Sequence, residues 1–175
     1  MEHSQHYSIQ QEGKIHPSFS QSESNSLLLG QKIVARAWID DEYKQRLLAN
    51  AKAVIAELGI EMAAQEFICV ENTDKIHNIV VCTLCSCYPE EVLGASPLWY
   101  RSLSYRSRVI REPRTVLREF GTEIPEHIKI QVHDSTFERR YLVLPHRPEG
   151  AEKMNEEDLA LLVTRDSMIG VALAR

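Results

Sequence analysis

Three of the chain's four cysteines, Cys82, Cys85 and Cys87, fall within six residues, while Cys69 stands apart. Thiols at this spacing can reach one ion, because thiolate is the metal-binding form of cysteine and soft sulfur selects transition metals over calcium or magnesium. In Cys85-Ser86-Cys87 a single residue separates two sulfurs, so an ion held by both lies against the intervening backbone. The amide nitrogens of Ser86 and Cys87 become ligands too if they lose their protons, which takes a strongly Lewis-acidic trivalent ion, iron or cobalt, rather than zinc. Other uses of the cluster compete. His77, five residues ahead of Cys82, is a candidate fourth ligand for a structural zinc. Cys69 is a candidate fourth thiolate for an iron–sulfur site, although its place inside an apolar run marks it as core. A redox C-x-x-C of thioredoxin type normally opens a helix. Simple buried thiols leave three in six residues unexplained.

The rest of the composition bounds what such a centre can belong to. At 175 residues and 20.0 kDa the chain fits one domain, possessing in its 43% of hydrophobic residues enough for a core. Twenty-five acidic against twenty basic side chains give a net charge of -5 and a pI near 5.8, which argues against a nucleic-acid partner. No run reaches the roughly 18 apolar residues of a membrane span, and Met1 to Gln31 lacks the apolar stretch and cleavage site of a signal peptide. The expected location is therefore the cytoplasm, with no membrane partner. Arg106, Arg108, Arg111 and Arg114 form a basic stretch that, in a chain of negative net charge, reads as an interface with an acidic partner. His3, His6 and His16, scattered in a polar tail, read as solvated side chains. Trp99 reads as core or channel wall.

The elements that must position the cysteines are legible in outline. Residues 1–26 are rich in Ser, Gln, Glu and His and cannot bury enough surface to offset their ordering entropy. We therefore expect a flexible polar N-terminal arm over 1–33 and a globular domain over 34–175. Asp40 is placed to cap a helix in which Tyr43, Leu47, Ala51, Val54, Ile55 and Leu58 recur at helical spacing, closed by Gly59. Phe67 to Val70 and Ile79 to Val81 are short strand-type runs, so the cysteines begin where a strand ends. A helix is expected over Pro113 to Phe120, closed by Gly121. Ile128, Ile130 and Val132 alternate with polar residues as in a half-buried strand, with Arg140 to Leu144 expected as its partner strand. Asn155 can cap a last short helix carrying Leu159, Leu162 and Val163. The fold class is α+β: an N-terminal helical arm followed by a layered α-β-β-α domain.

The stretch Val80-Val81-Cys82-Thr83-Leu84-Cys85-Ser86-Cys87-Tyr88-Pro89 resembles the metal loop of nitrile hydratase α-subunits, shared with the related subunit of thiocyanate hydrolase. The resemblance continues in order. It runs through Val70-Glu71-Asn72-Thr73, His77-Asn78, Trp99-Tyr100, Tyr105 to Val109, Arg111 to Arg114, Glu119 to Glu123, Asp134-Ser135, Arg140-Tyr141, Leu144-Pro145, Arg147-Pro148 and Leu162 to Gly170. It covers roughly Val34 to Val171. Two places depart from it: His133 stands where the family has tryptophan, and Glu90 to Pro97 replaces a less acidic, proline-rich segment bordering the substrate channel.

The resemblance implies a low-spin cobalt(III), or alternatively iron(III), one per subunit, held by the sulfurs of Cys82, Cys85 and Cys87 and the backbone nitrogens of Ser86 and Cys87. It implies Cys85 as a sulfinate and Cys87 as a sulfenate. Thr83, where iron-type members have serine, points to the cobalt type. Cys87, Ser86, Asp134, Glu138 and Arg140 are the implied catalytic set, the last three handling orientation and protons around the loop, against the blander reading of a strand-end salt bridge. The nucleophile is either metal-bound hydroxide or the Cys87 sulfenate oxygen. The implied activity is hydration of a nitrile to its amide, with a β-subunit as partner in an αβ unit that pairs to α2β2. The alternatives are a thiocyanate hydrolase subunit and, from another class, a non-catalytic zinc-stabilised module.

Overall fold

A computed structural model of the protein describes residues 21–175, with side chains from Ser24 onward. Residues 1–20 of the arm expected over 1–33, including His3, His6 and His16, lie outside the described residues. The elements run α1 (Gln21–Ile39), α2 (Asp41–Ala49), α3 (Ala51–Glu57), β1 (Glu66–Glu71), β2 (Ile76–Val81), α4 (Glu90–Leu93), α5 (Leu98–Arg101) and α6 (Leu103–Arg108). They continue with α7 (Pro113–Glu119), β3 (Lys129–Asp134), β4 (Arg139–Leu144), α8 (Glu156–Leu161) and α9 (Arg165–Ile169). Helices and strands mix as an α+β fold requires. Among the described residues no helix is long and apolar enough to cross a membrane.

The expected division at 33/34 falls inside α1. Leu27 and Leu29 already pack against the core that Ile33, Val34 and Ala37 enter, so the polar composition of the first residues hides an amphipathic helix whose apolar stripe begins at Leu27. Gly30 lets α1 approach α4: a Cβ there would stand 2.3 Å from the Val92 carbonyl oxygen. The single helix expected from Asp40 to Leu58 is two. Asp40 caps α2 through Tyr43 N as expected, but Asn50, in non-helical backbone, ends α2 and caps α3 by accepting from Ala53 N. Asparagine competes for the backbone in this way, whereas hydrophobic spacing is blind to it.

The four strands form two parallel pairs, β1 with β4 and β2 with β3. The expected β3–β4 pairing is therefore incorrect. The corner over residues 135–138 carries the chain from one pair to the other, as residues 72–75 do between β1 and β2. Side-chain alternation identifies a strand but holds no information about a partner far away in sequence. The second corner is braced by a buried polar group: Asn78 N and Nδ2 donate to Asn72 Oδ1, and His77 Nε2 donates to the Gly170 carbonyl at 2.7 Å. Gly170 has φ +93, and a Cβ there would meet the Asn78 carbonyl oxygen at 2.0 Å, so α9 can seat against β2 only with glycine at its end.

Candidate metal centre

Parallel pairing decides where the chemistry collects. β2 and β3 run the same way with Val81 opposite Asp134, so the cysteine loop leaving β2 meets the corner leaving β3. Ser135 N donates to the Val81 carbonyl at 2.6 Å and closes that junction. The corner then delivers Glu138 and Arg140 to the start of β4, on the same end of the molecule.

The loop turns tightly on its own sulfurs. Cys82 Sγ and Cys85 Sγ lie 2.9 Å apart, and Cys85 Sγ and Cys87 Sγ 2.7 Å apart. All three thiols are free, and their sulfurs fall within 4.8 Å of one another. The Cys85 amide donates to Cys82 Sγ at 3.2 Å, and the Cys87 amide points at the Cys85 sulfur. Exposure is graded along the loop: Cys82 is fully buried, Cys87 half-buried, and Cys85 and Ser86 are open. A soft, three-sulfur concavity with a backbone amide aimed into it fits a thiophilic transition-metal ion.

The two outer sulfurs differ electrostatically. Burial alone would raise the Cys85 thiol, but hydrogen bonds from Cys82 and Cys87 and the nearby Arg140 charge outweigh it and hold Cys85 below the ordinary thiol range. Cys87 is pushed up to about 12, first by burial and then by its bond to Cys85, with Arg140 opposing. The positive charge of Arg140 thus favours the ionised form of both sulfurs.

Side chains from three directions hold the loop's backbone. Asp134 accepts from Thr83 N at 2.9 Å and from Thr83 Oγ1 at 2.6 Å. Arg106, from α6, donates through Nε to the Cys82 carbonyl at 3.0 Å and through Nη2 to the Thr83 carbonyl at 2.7 Å. Tyr100, from α5, donates to the Cys87 carbonyl at 3.0 Å, while Tyr105 donates to the Val80 carbonyl at 2.7 Å. Beneath them Tyr88, Trp99, Tyr100, Tyr105 and Phe120 meet edge to face, a rigid apolar floor in which Trp99 is core rather than a stacking platform.

The competing ligands do not converge. His77 is buried with both ring nitrogens engaged, Nε2 donating to Gly170 and Nδ1 accepting from Asn72 Nδ2 at 3.3 Å. Cys69 is buried in β1, where burial drives its thiol far up. Among the described residues no fourth histidine, cysteine or carboxylate completes a zinc or iron–sulfur set around the three sulfurs.

The sequence matches the family model of the nitrile hydratase alpha chain over residues 6–172. The chain belongs to the nitrile hydratase α-chain family. It is 54% identical over 146 residues to the low-molecular weight cobalt-containing nitrile hydratase subunit alpha of Rhodococcus rhodochrous, covering 83% of this chain and 70% of that one. It is 40% identical over 156 residues to the thiocyanate hydrolase subunit gamma of Thiobacillus thioparus, covering 82% and 64%. Among solved structures, a double mutant of the Fe-type nitrile hydratase from Comamonas testosteroni Ni1 superposes with a TM-score of 0.81 at 44% identity, covering 84% of this chain and 72% of that one.

Within this nitrile hydratase α-chain, the structure gathers Cys82, Cys85, Ser86, Cys87, Asp134 and Arg140 at one end. Glu138 is present on the corner but exposed, and its contact to β1 is made by its carbonyl, which accepts from Glu66 N at 2.8 Å. Arg106, Tyr100 and Ser135 were not singled out as site residues by sequence reasoning. The cue for Arg106 was its place among four arginines, three of which are half-buried and bonded within the chain. Arg108 pairs with Glu112 and Glu119, and Arg114 wraps the carbonyls of Ile124 and Ile128. Arg108 and Arg114 are thus engaged within the chain, whereas Arg111 is exposed. His133, in the tryptophan position, donates through Nε2 to Asn78 Oδ1 at 2.8 Å and lies against Tyr141.

Proposed function

We propose that this chain is the metal-binding catalytic subunit of an enzyme that hydrates a nitrile to the corresponding amide. The observation that carries the reading is the convergence of Cys82, Cys85 and Cys87 on a half-open loop in a nitrile hydratase α-chain fold. The three sulfurs, with the backbone nitrogens of Ser86 and Cys87, would hold the ion. Cobalt is favoured over iron by Thr83 and by the cobalt-containing relatives at 53–54% identity. When bound, such a trivalent ion supplies a Lewis-acid centre for polarising a nitrile or a water.

The chain's own residues then have separate tasks. Cys82, at the buried root, anchors the site. Cys85 and Ser86, at the open face, border the space a substrate enters. Asp134 fixes Thr83 and with it the direction in which the loop leaves β2. The Arg140 guanidinium offsets negative charge on the Cys85 and Cys87 sulfurs, which in the mature site are a sulfinate and a sulfenate. Glu138, exposed on the adjoining corner, is the carboxylate we assign to proton handling once the face is covered.

An α-chain works with a partner chain, and we assign that role to a β-subunit in an α2β2 assembly. Leu84, 89% exposed on the metal loop, and Phe137, 83% exposed on the adjoining corner, give such a partner apolar ground beside the sulfurs. The deciding experiment is elemental analysis of the protein produced with cobalt available, paired with an assay for amide release from a small nitrile. About one cobalt per chain and amide formation are expected. Zinc in place of cobalt or iron would sink the reading, whereas turnover of thiocyanate instead of nitriles would move the chain to the 40%-identical relative's reaction.

A further inference from the structure

The peptide joining Cys82 to Thr83 is gripped at both ends by opposite charges. Its carbonyl accepts from Arg106 Nε at 3.0 Å, and its N–H donates to Asp134 Oδ1 at 2.9 Å. The next carbonyl, of Thr83, accepts from Arg106 Nη2 at 2.7 Å, and the Thr83 hydroxyl donates to Asp134 Oδ2 at 2.6 Å. The two side chains come from different elements, α6 and β3, and meet only through this stretch of loop. We propose that Arg106 and Asp134 form a charge-paired clamp across the Cys82–Thr83 peptide, positioning residues that set the loop in the shape that receives its metal ion. The proposal rests on the metal-centre reading above and adds to it the groups that preorganise the ligands.

Three observations carry it. The clamp acts at the root of the loop, where Cys82 is fully buried, while one residue beyond it Leu84 is 89% exposed. The tip therefore inherits its direction from the root. Among the described residues, the hydrogen bonds of the Arg106 guanidinium go to this loop alone, so its role is local to the loop and not a general brace of α6. The planar fork of arginine also suits two successive carbonyls in a way the single ammonium of lysine does not.

The test uses the full chain with its co-purifying partner, made in cobalt-supplemented cells. Arg106→Lys, Arg106→Met, Asp134→Asn and the Arg106→Met/Asp134→Asn double variant are compared with Arg111→Ala, an arginine bonded only to the Ser107 carbonyl. Cobalt retained against a chelator, the sulfur-to-cobalt charge-transfer absorption and thermal melting are read together. The clamp requires cobalt retention to fall on the order of tenfold in each single clamp variant, with a displaced absorption band. It requires the double variant to be no worse than the poorer single, and Arg111→Ala and the melting of Arg106→Lys to match wild type. Wild-type retention and an unmoved band in Arg106→Lys and Asp134→Asn would overturn it. So would losses that simply add in the double variant and track melting. Wild-type protein that takes up no cobalt would instead overturn the proposed function, and the clamp with it.

Discussion

Changing one atom of a cysteine separates its chemical from its structural use. Cys85→Ser and Cys87→Ser replace soft sulfurs, held 2.7 Å apart, with hard oxygens, and should abolish both cobalt retention and amide formation. Cys69→Ser places a hydroxyl among apolar neighbours of β1 and should leave cobalt content near wild type while costing about 1–3 kcal/mol of stability. Equal cobalt loss in all three variants would restore Cys69 as a ligand. A second test reads the sulfurs directly. The cobalt-loaded, active complex, digested without reductant, should carry about 48 Da of added oxygen on the peptide spanning Cys82 to Cys87, as one sulfinate and one sulfenate. Three plain thiols in active material would remove oxidised sulfur from the mechanism. At this scale the cluster of candidate ligands was legible because three thiols in six residues are rare and mean something by themselves. Arg106 was not, because an arginine that binds backbone carbonyls has partners whose identity the sequence does not encode, and its neighbours Arg108 and Arg114 are equally committed inward.

Elements, unlike single residues, carry their meaning in pairing. The alternation of Ile130 and Val132 identified β3, yet its true neighbour is β2, more than forty residues earlier in the chain, and that parallel pairing is what brings Asp134 to Thr83. Local pattern sees the strand; only the fold selects the partner. The same ladder contains two histidines, His77 and His133, whose neutral forms it favours. Burial lowers His133, while His77 is lowered by burial and by Arg114, with the Gly170 bond partly opposing. Both folded values therefore lie below the ordinary 6.5. Just below that pH the unfolded chain binds more protons than the folded one, so stability is fully present above it and is lost as pH falls beneath it. The urea midpoint should drop between about pH 7.5 and 5.5, and His133→Gln, which keeps a donor for Asn78 Oδ1, should flatten part of that drop. A wild-type midpoint that holds steady or rises on acidification would show that neither imidazole is held neutral.

Taken whole, the metal loop is held at its root and open at its tip. Tyr100, Arg106 and Asp134 hold the loop from beneath and beside, whereas Cys85, Ser86 and Leu84 face outward, next to the exposed Phe137 of the neighbouring corner. Such a face is a poor place for hydration chemistry in isolation. Oxidised sulfurs are anions, and among the described residues Arg140 is the cation that acts on both Cys85 and Cys87. Covering them without further positive partners would strand charge in a low-dielectric space, which costs several kcal/mol per ion. A partner chain that supplies both the cover and the missing cations resolves the two problems together. The chain purified by itself should accordingly show little or no nitrile hydration even when cobalt is present, and adding a β-like chain should restore it. Phe137→Glu or Leu84→Glu should weaken co-purification of the partner. Leu161→Glu should not, since Leu161 is 76% exposed on α8, a helix that packs on α1. Full turnover by the single chain would refute the shared site. Equal loss of partner from the Leu161 variant would show that the apolar ground around the sulfurs has no special part in docking.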